Sequence, residues 1–391
     1  MKHPGSARSH GLDTLRAVAI ALVFMNHYMI FVTGRATFGF LSEMGWAGVD
    51  LFFALSGYLI GNQILAALRS EGGFSLKNFY ARRLLRTLPN FYAVLALYYL
   101  WPAWRGDNPL LPLWRFLSFT QNIGLEPGTA FSYAWSLCVE EQFYMLLPAL
   151  ALLLAACRKS LSLSLSLSLS LSLSLAWLLI VGAVAAGMLA RGHIWTEHVE
   201  HARNGLHGYY KYIYYSSLCR CDELLAGVAL ALLKNHHAVL WTRITAYGNA
   251  TLLAGLAGVT LAFLLFLENH YAWRTTVIGY PLLALGCALL IVSALSPDSL
   301  LRNTRVPGAT LLATWSYAVY LTHKPVCVLL KPVLLGAGMG PDAWPAVLIM
   351  AAASLLAGWL LFRLVETPFM YLRERFVPSN LARPPPQTVS A

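Results

Sequence analysis

The stretch LDTLRAVAIALVFMNHYMIFVT, residues 12–33, is apolar along most of its length yet carries Asp13, Arg16 and His27. A helix needs about 20 mostly apolar residues to cross the hydrocarbon of a bilayer, and this run has that length. Nine further runs, bounded by polar residues, Gly or Pro, lie at 49–68, 88–103, 134–156, 171–190, 216–233, 250–267, 276–295, 309–330 and 343–365. Of the 391 residues, 58% are hydrophobic and only 12% charged, far from the balance of a water-soluble domain. The expected fold is therefore an all-α, polytopic membrane protein with about ten transmembrane helices.

The basic residues choose an orientation. With the N-terminus inside, the cytoplasmic side receives Lys2, Arg8, the cluster between Arg69 and Arg86, Arg158, Lys159, Lys234, Arg243, Arg302, Arg305, Arg373, Arg375 and Arg383. Fewer fall outside, among them Arg35, Arg105, Arg115, Arg191, Arg203, Lys211 and Arg274. Both termini are thus expected in the cytoplasm. The formal charge of +11 is this topological bias spread over short loops, with no basic arm, which argues against nucleic-acid binding. The first apolar run is too long for a cleaved signal peptide and ends on His27, so it reads as a retained first helix. The six cysteines show no metal-type pairing; Cys138, Cys157, Cys287 and Cys327 sit in apolar contexts where a small hydrophobe suffices. No metal site is expected. The chain divides into a cytoplasmic segment 1–11, a membrane domain 12–370 and a Pro-rich cytoplasmic tail 371–391.

Inside the membrane domain, residues 160–175 alternate Ser and Leu without exception. In a helix such alternation spreads leucine over every face, so packing gives no reason for it. A CT dinucleotide tract translates as alternating Leu and Ser codons, and slippage in it would make expression switchable. The segment reads as a linker entering the fifth helix.

Ionisable residues inside lipid are expensive and point to function. Arg16 and His27 are 11 residues apart, about 20° from the same helical phase and roughly 16 Å along the axis, a line that suits an elongated ligand. The plainer reading has Arg16 snorkelling and His27 bonding to a neighbouring helix. Arg82, Arg83 and Arg86 share about one turn before the third helix, where guanidinium groups can grip phosphates bidentately; topology anchoring is the alternative. Glu140 and Glu141 open the fourth helix, and helix-dipole capping hardly explains both. Asp50 sits just inside the second helix, in GWAGVDLFFALSGY, where Gly48, Ser56 and Gly57 permit close helix approach. Arg220 and Asp222 read as a local pair. His323 falls midway through the ninth helix, at a depth similar to His27, and Glu366 ends the tenth with an Arg partner expected.

Together GLDTLRAVAIALVFMNHY, GWAGVDLFFALSGYLIG, FYARRLLRTLP, AWSLCVEEQFYMLLP, CRCDELLAGVAL, SYAVYLTHKP and VETP resemble, in order and spacing, the integral-membrane acyltransferase-3 family. The resemblance spans nearly the whole chain. It implies ten core helices, an acyl-coenzyme A donor taken from the cytoplasm, no permanently bound cofactor, and a first-helix histidine required for transfer, a role that falls on His27. The family's Arg-x-x-Arg element falls on Arg83 and Arg86. Longer members carry an additional helix and an extracytoplasmic hydrolase-like domain. This chain, ending at Ala391, is expected either to finish the reaction in the membrane or to pass the acyl group to a separate extracytoplasmic transferase.

The reading that follows is an inner-membrane O-acyltransferase moving an acyl group, acetyl above all, from acetyl-coenzyme A to a hydroxyl of lipopolysaccharide or another envelope glycan. The nucleotide rests on Arg82, Arg83 and Arg86, Arg16 lies along the pantetheine arm, and His27 serves as general base or acyl carrier. Asp50 or Glu141 orients His27, and His323 joins the site. Within enzymes the rival acceptor is a lipid-linked or secreted small molecule of the macrolide kind. Outside them it is a secondary transporter of anionic metabolites, which inverted repeats would support.

Overall fold

A computed structural model describes residues 9–70, 73–160 and 165–380. Lys2, Arg8, most of the N-terminal segment, Arg383 with the end of the Pro-rich tail, and part of the Ser-Leu tract lie outside the described residues, as do the side chains of 157–169. Among the described residues there are helices and no strands. Ten long helices follow one another: α1 (His10–Tyr28), α2 (Ala47–Arg69), α3 (Leu76–Leu100), α4 (Trp135–Ser160), α5 (Leu165–Trp195), α6 (Asp222–His236), α7 (Gly248–Glu268), α8 (Tyr280–Leu295), α9 (Ala309–Gly336) and α10 (Trp344–Leu361). A short α11 (Thr367–Phe376) closes the described chain.

Eight of these helical stretches are long and apolar enough to span a bilayer, and nine if α6 is joined to the helix Ala238–Thr245, from which a 112° bend divides it. The expected ten is reduced at α3, whose first half, LKNFYARRLLRTLP, is too polar to count. Among the described residues, the Ser-Leu tract is helical at Ser160, the end of α4, and again from Leu165, so α5 includes part of the tract ahead of the hydrophobic run.

Small residues let the central helices meet backbone to backbone. A Cβ on Gly48 would collide with the carbonyl of Ala19 in α1, one on Gly57 with that of Leu224 in α6, and one on Gly227 with that of Ala54 in α2. The expected close approach at Gly48 and Gly57 is thus where α2 is gripped from both sides. α1 runs beside α2, α8 and α9, and α9 lies against α10. This arrangement sets the deep half of α1 against the middle of α9, two segments nearly 300 residues apart in sequence.

Candidate active site

His27 lies in the last turn of α1, immediately before the chain widens into a π-helical turn, Met29–Thr33. Such turns re-aim side chains and recur at functional sites. Across from it, His323 is almost fully buried on α9. The two ring centres are 4.9 Å apart with 11° between their planes, the rings meeting edge to edge, and His27 Nδ1 is 2.7 Å from His323 Nε2. The matching depth expected for the two histidines therefore becomes direct contact.

The tautomers follow from the partners. His323 Nδ1 stands 2.9 Å from the Val319 carbonyl, which can only accept, so Nδ1 carries the hydrogen. With both rings neutral, His323 Nε2 must then accept, and His27 Nδ1 donates to it. That leaves the lone pair on His27 Nε2. A backbone carbonyl thus fixes, through one intervening ring, which nitrogen of His27 is basic.

Pro325 organises the other side. Lacking an N–H, it cannot bond the carbonyl four residues earlier, that of Leu321, and Tyr133 donates its hydroxyl there at 2.5 Å. Tyr320 donates to the Tyr133 carbonyl at 2.5 Å and shares a 2.7 Å hydrogen bond with Ser136. Tyr133 is consequently held edge-on to His27 at 5.9 Å and to His323 at 6.0 Å, while Phe31, one turn beyond His27, meets it edge-on at 5.3 Å. Lys324 is largely buried on α9, and its ammonium lies over Phe31, 3.8 Å from the ring centre, and 5.2 Å from that of Tyr133. Neither Tyr133 nor Lys324 was singled out by sequence pattern; the Pro two residues after His323 is the signal that marks the freed carbonyl.

The three arginines of α3 diverge. Arg82 donates to Glu374 of α11 at 2.7 Å and to the Val377 carbonyl at 2.6 Å. Arg83 turns inward, its guanidinium 3.8 Å above the ring of Tyr144 and within charge reach of Glu140 and Glu141. Glu140 accepts from Tyr144 at 2.9 Å and from Ser56 at 3.2 Å. Arg86 faces Glu366, which also accepts from Asn90 at 2.7 Å, so the expected Arg neighbour of Glu366 is present. Arg16 stays half-buried on α1, three turns before His27.

Asp50 and Glu141 are engaged away from His27, whose hydrogen-bonded partner is His323. Asp50 pairs with Arg220, both wholly buried. Arg191, expected in an outer loop, is instead buried in α5 and holds Asp222 through both nitrogens, at 2.5 and 3.1 Å. The local Arg220–Asp222 pair expected from sequence is replaced by these two cross-helix bridges. Asp222 opens α6 while Arg220 precedes it, so their side chains leave in different directions. Glu223 brings a third carboxyl against Asp50. Three carboxyls thus face two guanidinium groups, flanked by Tyr214, Tyr280 and Trp135 around Arg220.

These observations define a helical membrane bundle with paired histidines inside it and an arginine-rich segment on α3. Comparison with known proteins supplies the family. The Acyltransferase domain model (Acyl_transf_3) matches residues 9–363, and the chain belongs to the acyltransferase-3 family. It is 28% identical over 378 residues, 91% of this chain and 55% of the relative, to the peptidoglycan O-acetyltransferase OatA of Listeria monocytogenes. It is also 28% identical over 379 residues, 92% of this chain and 54% of the relative, to YrhL of Bacillus subtilis, provisionally named a peptidoglycan O-acetyltransferase. Against SACOL0978 of Staphylococcus aureus, provisionally named an O-acetyltransferase, identity is 24% over 389 residues, 92% of this chain and 57% of that protein. The chain thus spans just over half the length of these curated relatives. No solved structure matches it.

Proposed function

We propose that this protein is a membrane O-acetyltransferase that transfers an acetyl group from acetyl-coenzyme A to a hydroxyl of an envelope glycan. The observation that carries the reading is the His27–His323 pair, which leaves one imidazole lone pair inside a family-matched membrane domain. The names of the relatives support a glycan acceptor. Peptidoglycan and lipopolysaccharide are both candidate acceptors, and the inner membrane with cytoplasmic termini is the placement the basic loops favour.

His27 Nε2 takes the proton of the acceptor hydroxyl as its oxygen attacks the thioester carbonyl. The tetrahedral intermediate collapses, the carbon–sulfur bond breaks, and the thiolate recovers the proton from His27. His323 accepts from His27 Nδ1 throughout, steadying the imidazolium that forms. Arg83 and Arg86, with Arg82 beside them, supply positive charge at the end where a coenzyme A nucleotide enters, and Arg16 lines the way to His27.

Membranes containing the protein are incubated with radiolabelled acetyl-coenzyme A, and envelope glycans from cells with and without the gene are compared by mass spectrometry. Base-labile acetyl on glycan only when the gene is present is the expected result. Identical glycans, with label confined to free acetate, would refute the assignment.

A further inference from the structure

We propose that Lys324 is the oxyanion-stabilising group of the transfer site, its ammonium accepting the negative charge that develops on the thioester carbonyl oxygen. This rests on the acetyl-transfer reading above and deepens it.

The position of Lys324 sets it apart from an anchoring lysine. It lies largely buried at the middle of α9, one residue after His323 and one before Pro325, far from the helix ends where a lysine anchors to headgroups. Among the described residues it has neither a carboxylate partner nor a hydrogen-bond acceptor. Its contacts are the faces of Phe31 and Tyr133. Cation–π contact steadies an ammonium without neutralising it, so its field and its donors stay available. A lone cation in lipid is costly unless an anion joins it at some stage of the working cycle.

The same two rings border the base. Phe31 is 3.8 Å from the Lys324 ammonium and 5.3 Å from the centre of the His27 imidazole, so the ammonium lies no further than about 9 Å from that ring. In the tetrahedral intermediate the oxyanion is separated from the basic nitrogen by the attacking oxygen and the carbonyl carbon. A donor to the oxyanion must therefore stand a few ångströms beyond the base, within this range. When the hydroxyl oxygen bonds to the carbonyl carbon, the carbonyl electron pair moves to oxygen, and Lys324 meets that charge. Collapse returns the pair and expels the thiolate. Donors fixed in a water-poor site before the charge appears are worth far more than the same donors in water.

The test uses the full chain purified in nanodiscs with acetyl-coenzyme A and isolated envelope glycan, comparing wild type with Lys324→Met, Lys324→Gln and Lys324→Arg. Met is close in volume and removes an unpaired buried charge, so the folded protein should melt no lower than wild type. The expected result is a kcat about a hundredfold lower for Met and Gln, KM for both substrates unchanged, and partial recovery in Arg. A kcat within twofold of wild type in either folded variant overturns the proposal. So does a raised glycan KM with kcat intact, which would make Lys324 a subsite for an anionic group of the acceptor. Wild-type protein that transfers no acetyl at all would instead remove the reading on which this rests.

Discussion

Two neutral imidazoles 2.7 Å apart hold one hydrogen between them, and the Val319 carbonyl decides which ring supplies it. His27→Ala removes the base itself and should lower transfer by about 10²- to 10⁴-fold, with protein abundance in the membrane nearly unchanged. His323→Ala leaves a base but frees its tautomer, so a smaller fall in kcat is expected; quantitative transfer assays beside immunoblots of membrane protein check both. Equal losses of activity and abundance would reduce the pair to packing. His270 gives a separate handle outside the spans. Enclosed by Trp46, Phe266, Tyr209 and Tyr271, it is pushed down to about 4, first by burial and then by the Arg220 charge. The unfolded chain takes up this proton near pH 6.5 and the folded one only near 4, so stability present above 6.5 declines as pH falls through that window. Thermal melts between pH 7 and 4 should show the decline reduced in His270→Phe; an unchanged pH profile would count against it. Sequence exposed His27 and His323 because titratable groups are conspicuous in apolar runs. It concealed their contact, which depends on how α1 and α9 pack, and it concealed the seat of Lys324 between Phe31 and Tyr133, which depends on the same packing.

At the level of helices, α3 unites two demands that composition cannot separate. Its first half is too polar to read as a span, because Arg82, Arg83 and Arg86 lie on it, and each is engaged by acidic groups of the protein. Arg83→Ala and Arg86→Ala should raise the apparent KM for acetyl-coenzyme A more than that for the glycan. Lys should restore each only in part, having no planar fork. Donor titrations at saturating glycan measure this, and unchanged donor affinity in both alanine variants would assign the arginines wholly to Glu140, Glu141 and Glu366. The glycines of α2 were legible as contact points because nothing else explains Gly48 and Gly57 in an apolar helix. Partner choice among buried charges was not: Arg191 stands next to Gly192 and His193, a polar boundary by composition, yet α5 continues through it and delivers its guanidinium to Asp222.

Across the whole molecule, the proposed site is built from contacts between helices distant in sequence, and the Ser-Leu tract at 160–175 contains no residue assigned to it. Shortening it in frame by one Ser-Leu pair should leave transfer unchanged, and the tract should vary in length between single colonies. Colony sequencing with parallel transfer assays reads both; a codon-scrambled tract of constant length, or activity lost on in-frame shortening, would contradict this. The all-helical class and the order of most helices followed from apolar run length, since lipid imposes a length on each span, while the expected ten spans fell to eight or nine. Their lateral arrangement did not, because it is set by close contacts such as Gly57 against Leu224 that hydropathy does not register.

The most direct measurement is single-turnover transfer from radiolabelled acetyl-coenzyme A to isolated glycan by the purified chain, wild type against His27→Ala at equal folded concentration. The structure predicts base-labile label on glycan for wild type, appearing at least about a hundredfold more slowly with the variant. Equal label with both proteins would contradict His27 as the group through which transfer runs.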